Sequence, residues 1–255
     1  MSSAEAVPVR DAATVVLLRD GAAGIEAWLL TRVAQMRFAA GMSVFPGGRV
    51  DPADAALPFT GPITRLATRL DCPEGAARAF VGAAVRETFE ETGVLLSSPA
   101  PDLMHARADV EAGLLSFGDL LRQHDLAIDP DLLRPWARWI TPAGEARRYD
   151  TRFFVGALPA GAEASDATTE SSAASWVAVG EALQQAQRGE RGMLPPTLAT
   201  LASMVPFAAV AEVLAAADER DLAAVRPVIR VADDGSVVAE LPDGSVVQLP
   251  RSVLA

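Results

Sequence analysis

The stretch AAVRETFEETGV, residues 83–94, places three glutamates on a segment with the composition of a helix. Because each helical residue turns by about 100 degrees, the carboxylates of Glu87, Glu90 and Glu91 fall within one face. Carboxylates gathered in this way repel each other unless a cation lies between them, and oxygen-only ligands suit Mg²⁺ or Mn²⁺. Arg86 lies one turn before Glu90 and is placed to brace it. The segment therefore predicts a divalent-cation site, and the alternative is an acidic helix edge that only faces solvent.

The helix that carries these glutamates is predicted to span residues 71–92. Asp71 and Glu74 have the spacing of an N-terminal capping box, and Gly93 follows as a C-terminal stop. Apolar side chains occupy the opposite side of the predicted helix. It can therefore pack on a sheet while its acidic edge faces a cleft.

Outside this helix, strand-like and helix-like segments alternate along the chain. A β-hairpin is predicted from residues 13–32, and short strands are predicted within residues 41–48, 139–141, 151–158 and 175–179. Further helices are predicted at residues 102–138, 181–188 and 197–217, the last of them broken at Pro206. Val-rich runs with turn signals at residues 228–249 predict a small β-meander. The order predicts the α/β (α+β) class, with a mixed β-sheet and interleaved helices.

The domain organisation follows from these segments. One domain is predicted over residues 1–217, with an insertion at about 49–72 and a helical insert at about 102–138. Residues 218–255 are predicted to form a C-terminal β-meander extension.

The composition is that of a globular protein with an acidic balance, since 50% of the 255 residues are hydrophobic and the net charge is −11. No nucleic-acid or membrane partner is expected, because a protein that follows phosphates usually carries a basic face. Cys72 is the single cysteine, so no intrachain disulfide is expected. The N-terminus does not have the pattern of a signal peptide, and no apolar run reaches membrane-spanning length. These features predict a cytoplasmic protein.

Two motifs resemble the halves of the Nudix box. They are Phe45-Pro46-Gly47-Gly48 and Arg86-Glu87-Thr88-Phe89-Glu90-Glu91-Thr92-Gly93-Val94. The resemblance implies the Nudix fold and metal-dependent hydrolysis of a pyrophosphate bond in a nucleoside diphosphate linked to another moiety. It assigns metal binding and catalysis to Glu87, Glu90 and Glu91, a further catalytic role to Arg86, and substrate binding to Gly47 and Gly48.

The spacing of the two motifs departs from the family pattern. Arg86 follows Gly48 by 38 residues instead of the 14 of the common box, an excess of 24. Arg78, and not glutamate, stands eight residues before Arg86. We therefore expect the first glutamate of the box to be absent from its place.

The segment before the Gly-Gly turn is similar to the coenzyme A signature of some Nudix enzymes. Arg32, Arg37 and Gly41 match its spacing, and an arginine fork suits phosphates because it donates two hydrogen bonds at once. The alternative is that both arginines lie on the surface without a ligand. Glu170, within a segment that resembles the acidic stretch of the family, is the expected fourth acidic group, with Glu163 and Asp166 as rivals.

The expected activity is hydrolysis of coenzyme A or acyl-coenzyme A, a small-molecule nucleotide substrate. One alternative is a Nudix enzyme that acts on ADP-ribose or a dinucleotide. Another is a non-catalytic ligand sensor that keeps the fold, supported by Arg78 and the insertion. The resemblance also suggests a homodimer, because dimers are frequent in the family.

Overall fold

The computed structural model describes residues 7–33, 41–166, 171–232, 236–242 and 244–249, and within them a mixed eight-stranded sheet forms the centre. The strands are β1 (Val9–Gly21), β2 (Gly24–Arg32), β3 (Ser43–Val44), β4 (Gly47–Arg49), β5 (Arg134–Ile140), β6 (Arg148–Ala157), β7 (Ser171–Ala178) and β8 (Ala224–Val225). The main order is β3-β2-β1-β6-β5-β8, with β4 paired to β1 and β7 paired to β2. The β1–β6 and β5–β8 pairs are parallel, and the remaining pairs are antiparallel.

Helices cover both faces of this sheet. They are α1 (Thr64–Leu70), α2 (Glu74–Thr92), α3 (Arg107–Glu111), α4 (Phe117–Gln123), α5 (Val179–Gln187), α6 (Pro195–Ala202) and α7 (Val210–Ala217), with short 3₁₀ helices at Pro52–Ala56, Met104–Ala106 and Pro130–Leu132. Val15 and Leu17 of β1 pack in a first core, which contains residues of α1 to α4. Val16 and Leu18 pack in a second core, which contains residues of α5 to α7. Successive side chains of a strand point to opposite faces, so the sheet separates two cores. The predicted mixed sheet between helices is confirmed.

Helix α2 carries the predicted glutamates and packs on β1 in the first core. It begins at Glu74 and ends at Thr92, and it is followed by Gly93, whose φ of 74° lies in the left-handed region that glycine adopts readily. The predicted capping box is wrong. Asp71 takes a left-handed conformation at the end of α1, and Glu74 instead accepts a hydrogen bond from Thr64, with 2.6 Å between the two oxygens.

The helix predicted over residues 102–138 is confirmed only in part, because the range holds short helices and ends in a strand. Helices α3 and α4 lie within this range, but residues 134–138 belong to β5. Pro135 has no N–H to donate and disfavours a helix interior. Pairing of β5 with β6 supplies backbone hydrogen bonds and buries Trp136 and Trp139 in the second core. The tertiary pairing therefore outweighs the helical spacing of the apolar residues.

The C-terminal region forms a separate small sheet. Strands β9 (Val228–Val231), β10 (Val237–Glu240) and β11 (Val246–Leu249) are antiparallel and lie in the order β11-β10-β9, which confirms the predicted meander. Its core consists of Val237 and Ala239, with Ile229 and Val247 packed against them. Among the described residues, no helix combines the length and apolar character needed to cross a membrane.

Candidate active site

The C-terminal half of α2 faces the Gly-Gly turn at the start of β4. A Cβ atom on Gly48 would lie 2.4–2.5 Å from the carboxyl atoms of Glu87, so a larger residue there would displace that carboxylate. The backbone N–H of Gly47 donates a hydrogen bond to Oε2 of Glu91 at 2.9 Å. Glu91 is only 5% exposed. The fold therefore brings together the two motifs that the sequence separates.

Arg86 connects three carboxylates at this site. Its Nε and Nη2 donate to the two side-chain oxygens of Asp54 at 2.8 and 3.0 Å. Its Nη1 donates to Glu87 at 2.8 Å and to Glu90 at 3.1 Å. The predicted brace between Arg86 and Glu90 is confirmed. A planar guanidinium with several bound acceptors holds those side chains in fixed directions.

Negative charge exceeds positive charge around Arg86. Burial raises the pKa of Glu90 to about 7; the charge of Arg86 opposes this shift, and the carboxylates of Glu87 and Asp54 add to it. Burial lowers the pKa of Arg86, but its hydrogen bonds to Asp54 and the surrounding acidic charges more than compensate, and the pKa lies above its usual value. One guanidinium among several carboxylates leaves a surplus of negative charge, which favours the binding of a further cation.

Asp54 is a site residue that the sequence analysis missed. It lies in the 3₁₀ helix Pro52–Ala56 with its side chain 2% exposed. No glutamate stands at this place, as expected, but the carboxylate of Asp54 contacts Arg86 there. Counting eight residues back from Arg86 stays within α2 and reaches Arg78, whereas counting six residues forward from Gly48 reaches Asp54. The signal was thus present, in the forward spacing.

Arg78 supports the turn that carries Asp54. Its Nε donates to the carbonyl oxygen of Ala55 at 3.0 Å, and its Nη2 donates to that of Leu57 at 2.8 Å. Its guanidinium carbon also lies 4.3 Å from the centroid of the Phe59 ring, a cation–π contact. Arg78 thereby ties α2 to the insertion beside Asp54. Arg78, which stands where the family pattern has a glutamate, therefore has a structural role.

The donor set of the site fits a divalent cation by its chemistry. Glu87, Glu90 and Glu91 offer oxygen ligands alone, as Mg²⁺ and Mn²⁺ prefer. Over the part of the chain that the structure describes, no three His, Cys, Asp or Glu side chains are grouped closely enough to hold a metal ion. Glu87 and Glu90 instead direct carboxylate oxygens at Arg86. Their assignment as metal ligands stays a prediction.

Arg32 lies at the end of β2, beside the chain that leads to the Gly-Gly turn. Its N–H donates to the carbonyl oxygen of Met42 at 3.0 Å, and its carbonyl oxygen accepts from the N–H of Gly41 at 3.0 Å. Two residues of the proposed coenzyme A signature, Arg32 and Gly41, are therefore adjacent. Arg37 lies outside the described residues, and its role stays a prediction.

Glu170 also lies outside the described residues. The segment before it approaches the site, because the N–H of Ser165 donates to the carbonyl oxygen of Thr92 at 2.8 Å, at the end of α2. This contact places Ser165 beside the last residue of α2, one position after Glu91. Its role as a fourth acidic group stays a prediction.

Replacing Asp54 by asparagine should lower both the rate of hydrolysis and the stability of the protein. The amide keeps the size of the side chain but removes the charge that Arg86 contacts with two hydrogen bonds. We expect the free energy of unfolding to fall by about 1.5–3 kcal/mol, and kcat to fall about tenfold because Glu87 and Glu90 lose their fixed orientation.

Urea unfolding and initial rates measure the two effects of Asp54→Asn. Asp119→Asn is the matched control, since Asp119 forms an exposed ion pair with Arg122, and its loss should change the free energy of unfolding by less than about 0.5 kcal/mol. Equal effects of the two variants would contradict a role for Asp54 in orienting Arg86.

Comparison with known proteins agrees with the site and the fold. The family described as NUDT19 Nudix domain matches residues 69–204, more than half of the chain. The crystal structure of a NUDIX hydrolase from Alicyclobacillus acidocaldarius is 30% identical, with a TM-score of 0.69, and the match covers 82% of this chain and 96% of that one.

Two curated relatives show similar identity. Nudix hydrolase 7 of Caenorhabditis elegans is 30% identical over 66% of this chain, but the match spans 52% of that protein, about half of its length. The acyl-coenzyme A diphosphatase NUDT19 of Gallus gallus is 27% identical over 89% of this chain and 77% of that protein. The fold is shared, and Glu87 and Glu91 contact the Gly-Gly turn. Together with these observations, the matches show that the chain belongs to the Nudix hydrolase family.

Proposed function

We propose that the chain hydrolyses the pyrophosphate bond of coenzyme A or an acyl-coenzyme A, with Mg²⁺ or Mn²⁺ as its cofactor. The observation that carries the reaction class is the contact of Glu87 and Glu91 with the Gly47-Gly48 turn, beside the carboxylates that Arg86 orients. The name of the chicken relative and the spacing of Arg32 and Arg37 support the substrate class.

Each residue of the site has its own task in this proposal. Glu87, Glu90 and Glu91 would hold the divalent cation, which supplies positive charge to the pyrophosphate oxygens of the substrate. Arg86 orients Glu87 and Glu90, and the N–H of Gly47 orients Glu91. The last of these contacts couples the position of the β4 turn to the catalytic helix.

A panel of substrates tests the proposed function. Coenzyme A, an acyl-coenzyme A, ADP-ribose and a dinucleotide are incubated with the protein and either Mg²⁺ or Mn²⁺, and the products are separated by chromatography. We expect adenosine 3′,5′-bisphosphate together with phosphopantetheine or its acyl derivative. Preference for ADP-ribose or a dinucleotide would favour the alternative enzyme, and no hydrolysis of any compound would favour a ligand sensor.

Replacing Arg37 by alanine should raise KM for coenzyme A selectively. If Arg37 contacts the 3′-phosphate, loss of this charge-assisted contact should raise KM by about tenfold to a hundredfold. Dephospho-coenzyme A and ADP-ribose lack that phosphate, so their KM values should change far less. Equal losses on all three substrates would show that Arg37 contacts the shared pyrophosphate or only supports the fold.

Glu170 is proposed as the fourth acidic group, acting as a water-activating base or a further cation ligand. We expect Glu170→Gln to lower kcat by at least about tenfold, a typical contribution of a positioned base. Glu163→Gln and Asp166→Asn, in the same loop, are matched controls and should keep most of the activity. A larger loss in either control would transfer the role to that residue.

Two broader predictions accompany this proposal. The homodimer rests on the family resemblance, and light scattering after size exclusion would measure it. The cytoplasmic location rests on sequence patterns, and fractionation of the source cells would test it.

A further inference from the structure

A pocket of about 380 Å³ lies in the half of the molecule across the sheet from α2. It is lined by β5, the end of α6, the chain that leads into β8, and the turn after β10. Trp136 and Trp139 in its lining belong to the second core, whereas α2 packs in the first. The volume lies within the usual range of small-molecule sites. The pocket is therefore separate from the candidate active site.

Arg220 supplies the positive charge of this pocket. Its guanidinium carbon lies 4.0 Å from the centroid of the Trp136 ring, and its Nε donates to the carbonyl oxygen of Trp136 at 2.9 Å. Within the described residues Arg220 forms no ion pair, whereas Arg138, which also lines the pocket, is paired with Asp150 at 2.6 Å. Burial lowers the pKa of Arg220. A partly buried cation without a carboxylate partner is costly, and an anionic ligand would offset that cost.

Thr200 supplies a hydroxyl group with unused hydrogen-bonding capacity. The residue lines the pocket and is only 3% exposed, and its Oγ1 has no hydrogen-bond partner among the described residues. The neighbouring Ser203 differs, because its Oγ accepts from Nε1 of Trp136 at 3.0 Å and donates to the carbonyl oxygen of Thr200 at 2.7 Å. Buried polar groups are nearly always paired, so the unpaired hydroxyl of Thr200 is a second indication of a ligand.

The rest of the lining is mostly apolar. It is formed by Ala137, Trp139, Ala199, Ala223, Ala224, Val225, Leu241 and Pro242, together with Asp221, whose Oδ1 accepts a hydrogen bond from the N–H of Ala223 at 2.9 Å. Such a surface can bury the carbon atoms of an organic anion, which stabilises binding, whereas an inorganic ion has no apolar atoms to bury. The guanidinium of Arg220, which has no ion-pair partner among the described residues, the unused hydroxyl of Thr200 and the mostly apolar walls together indicate the chemistry of the ligand.

We propose that this pocket binds a small organic anion, with its carboxylate or phosphate on Arg220 and its apolar body against Trp139 and Leu241. The hydroxyl of Thr200 provides a further hydrogen bond to the ligand. This inference is independent of the proposed hydrolase function, because it uses no residue of the active site.

Isothermal titration of the full chain with matched probes tests the proposal. Octanoate and octyl phosphate carry the charge and the apolar body, octanol carries the body alone, and acetate carries the charge alone. We expect both octyl anions to bind with one site per chain, and the tighter one identifies the preferred anionic group. Octanol and acetate should each bind at least about tenfold more weakly.

Two variants assign the binding to the named residues. Arg220→Met keeps a long side chain over Trp136 but removes the charge, and should weaken octanoate binding by about tenfold or more. Thr200→Val removes the hydroxyl with little change in volume, and should weaken it by about fivefold. Arg122→Met is the matched control, because Arg122 is exposed on α4 and should leave binding unchanged.

The proposal is overturned if neither octyl anion binds saturably, or if octanol binds as tightly as octanoate. It is also overturned if Arg220→Met binds octanoate like the unchanged protein. Should Arg220→Met fail to fold, Thr200→Val decides the result in the same way, since loss of one hydroxyl leaves the apolar packing in place.

Discussion

Replacing Glu91 by glutamine should lower kcat by at least about a hundredfold while the protein remains folded. Glu91 is 5% exposed and accepts a hydrogen bond from the N–H of Gly47 at 2.9 Å. The amide oxygen of glutamine can accept the same hydrogen bond, so the contact between α2 and β4 is kept. The charge that would bind a cation is lost. The effect should therefore fall on turnover and not on the fold.

Initial rates at saturating Mg²⁺ and urea unfolding separate these two consequences for Glu91→Gln. We expect the free energy of unfolding to change by less than about 1 kcal/mol, because the hydrogen bond is retained. Glu181→Gln is the matched control, since Glu181 lies exposed on α5 in an ion pair with Arg188, and kcat should stay within about twofold. Turnover of Glu91→Gln equal to that of the unchanged protein would count against Glu91 as a cation ligand.

Removing divalent cations should lower the rate of hydrolysis by at least about a thousandfold, because a bound cation stabilises the transition-state charge by several kcal/mol. The reason lies in the surplus of negative charge, since Asp54, Glu87 and Glu90 all contact the single guanidinium of Arg86. Dialysis against a chelator, followed by addition of Mg²⁺ or Mn²⁺, should abolish and then restore activity.

Titration of the chelated protein with Mn²⁺ provides a measurement that does not depend on activity. Binding should be clearly weaker in Glu91→Gln, because one of the three proposed ligand charges is removed. Full activity after exhaustive chelation would exclude the cation requirement. Equal Mn²⁺ binding by both proteins would remove Glu91 from the ligand set while leaving the requirement itself intact.

The sequence predicted the parts of the fold whose signal is local. The strand pairs of the hairpin, the catalytic helix up to Gly93 and the C-terminal meander follow from periodicity and turn residues, which act over a few positions. The brace between Arg86 and Glu90 was predictable for the same reason, because residues four apart on a helix are neighbours.

Other features depended on neighbours that are distant in the chain. The apolar residues at 134–138 fit a helix by spacing, but pairing with β6 made them a strand. Contacts of this kind join residues that are far apart in the sequence. They override the local helix propensity because burial and strand pairing contribute more to the stability of the fold. The start of α2 was predicted at Asp71 and not at Glu74 for a similar reason, because Glu74 accepts a hydrogen bond from Thr64 of α1.

The sequence by itself determined that three carboxylates share one helical face and that a Gly-Gly turn belongs to the same motif, because helical geometry and glycine spacing are local properties. Only the tertiary structure decided that this turn contacts Glu87 and Glu91, and that the carboxylate of Asp54 contacts Arg86. Asp54 and Arg86 are 32 residues apart, and the intervening segment must fold back before their charges meet. That closure depends on how the insertion packs, with Arg78 holding the carbonyl oxygens of Ala55 and Leu57.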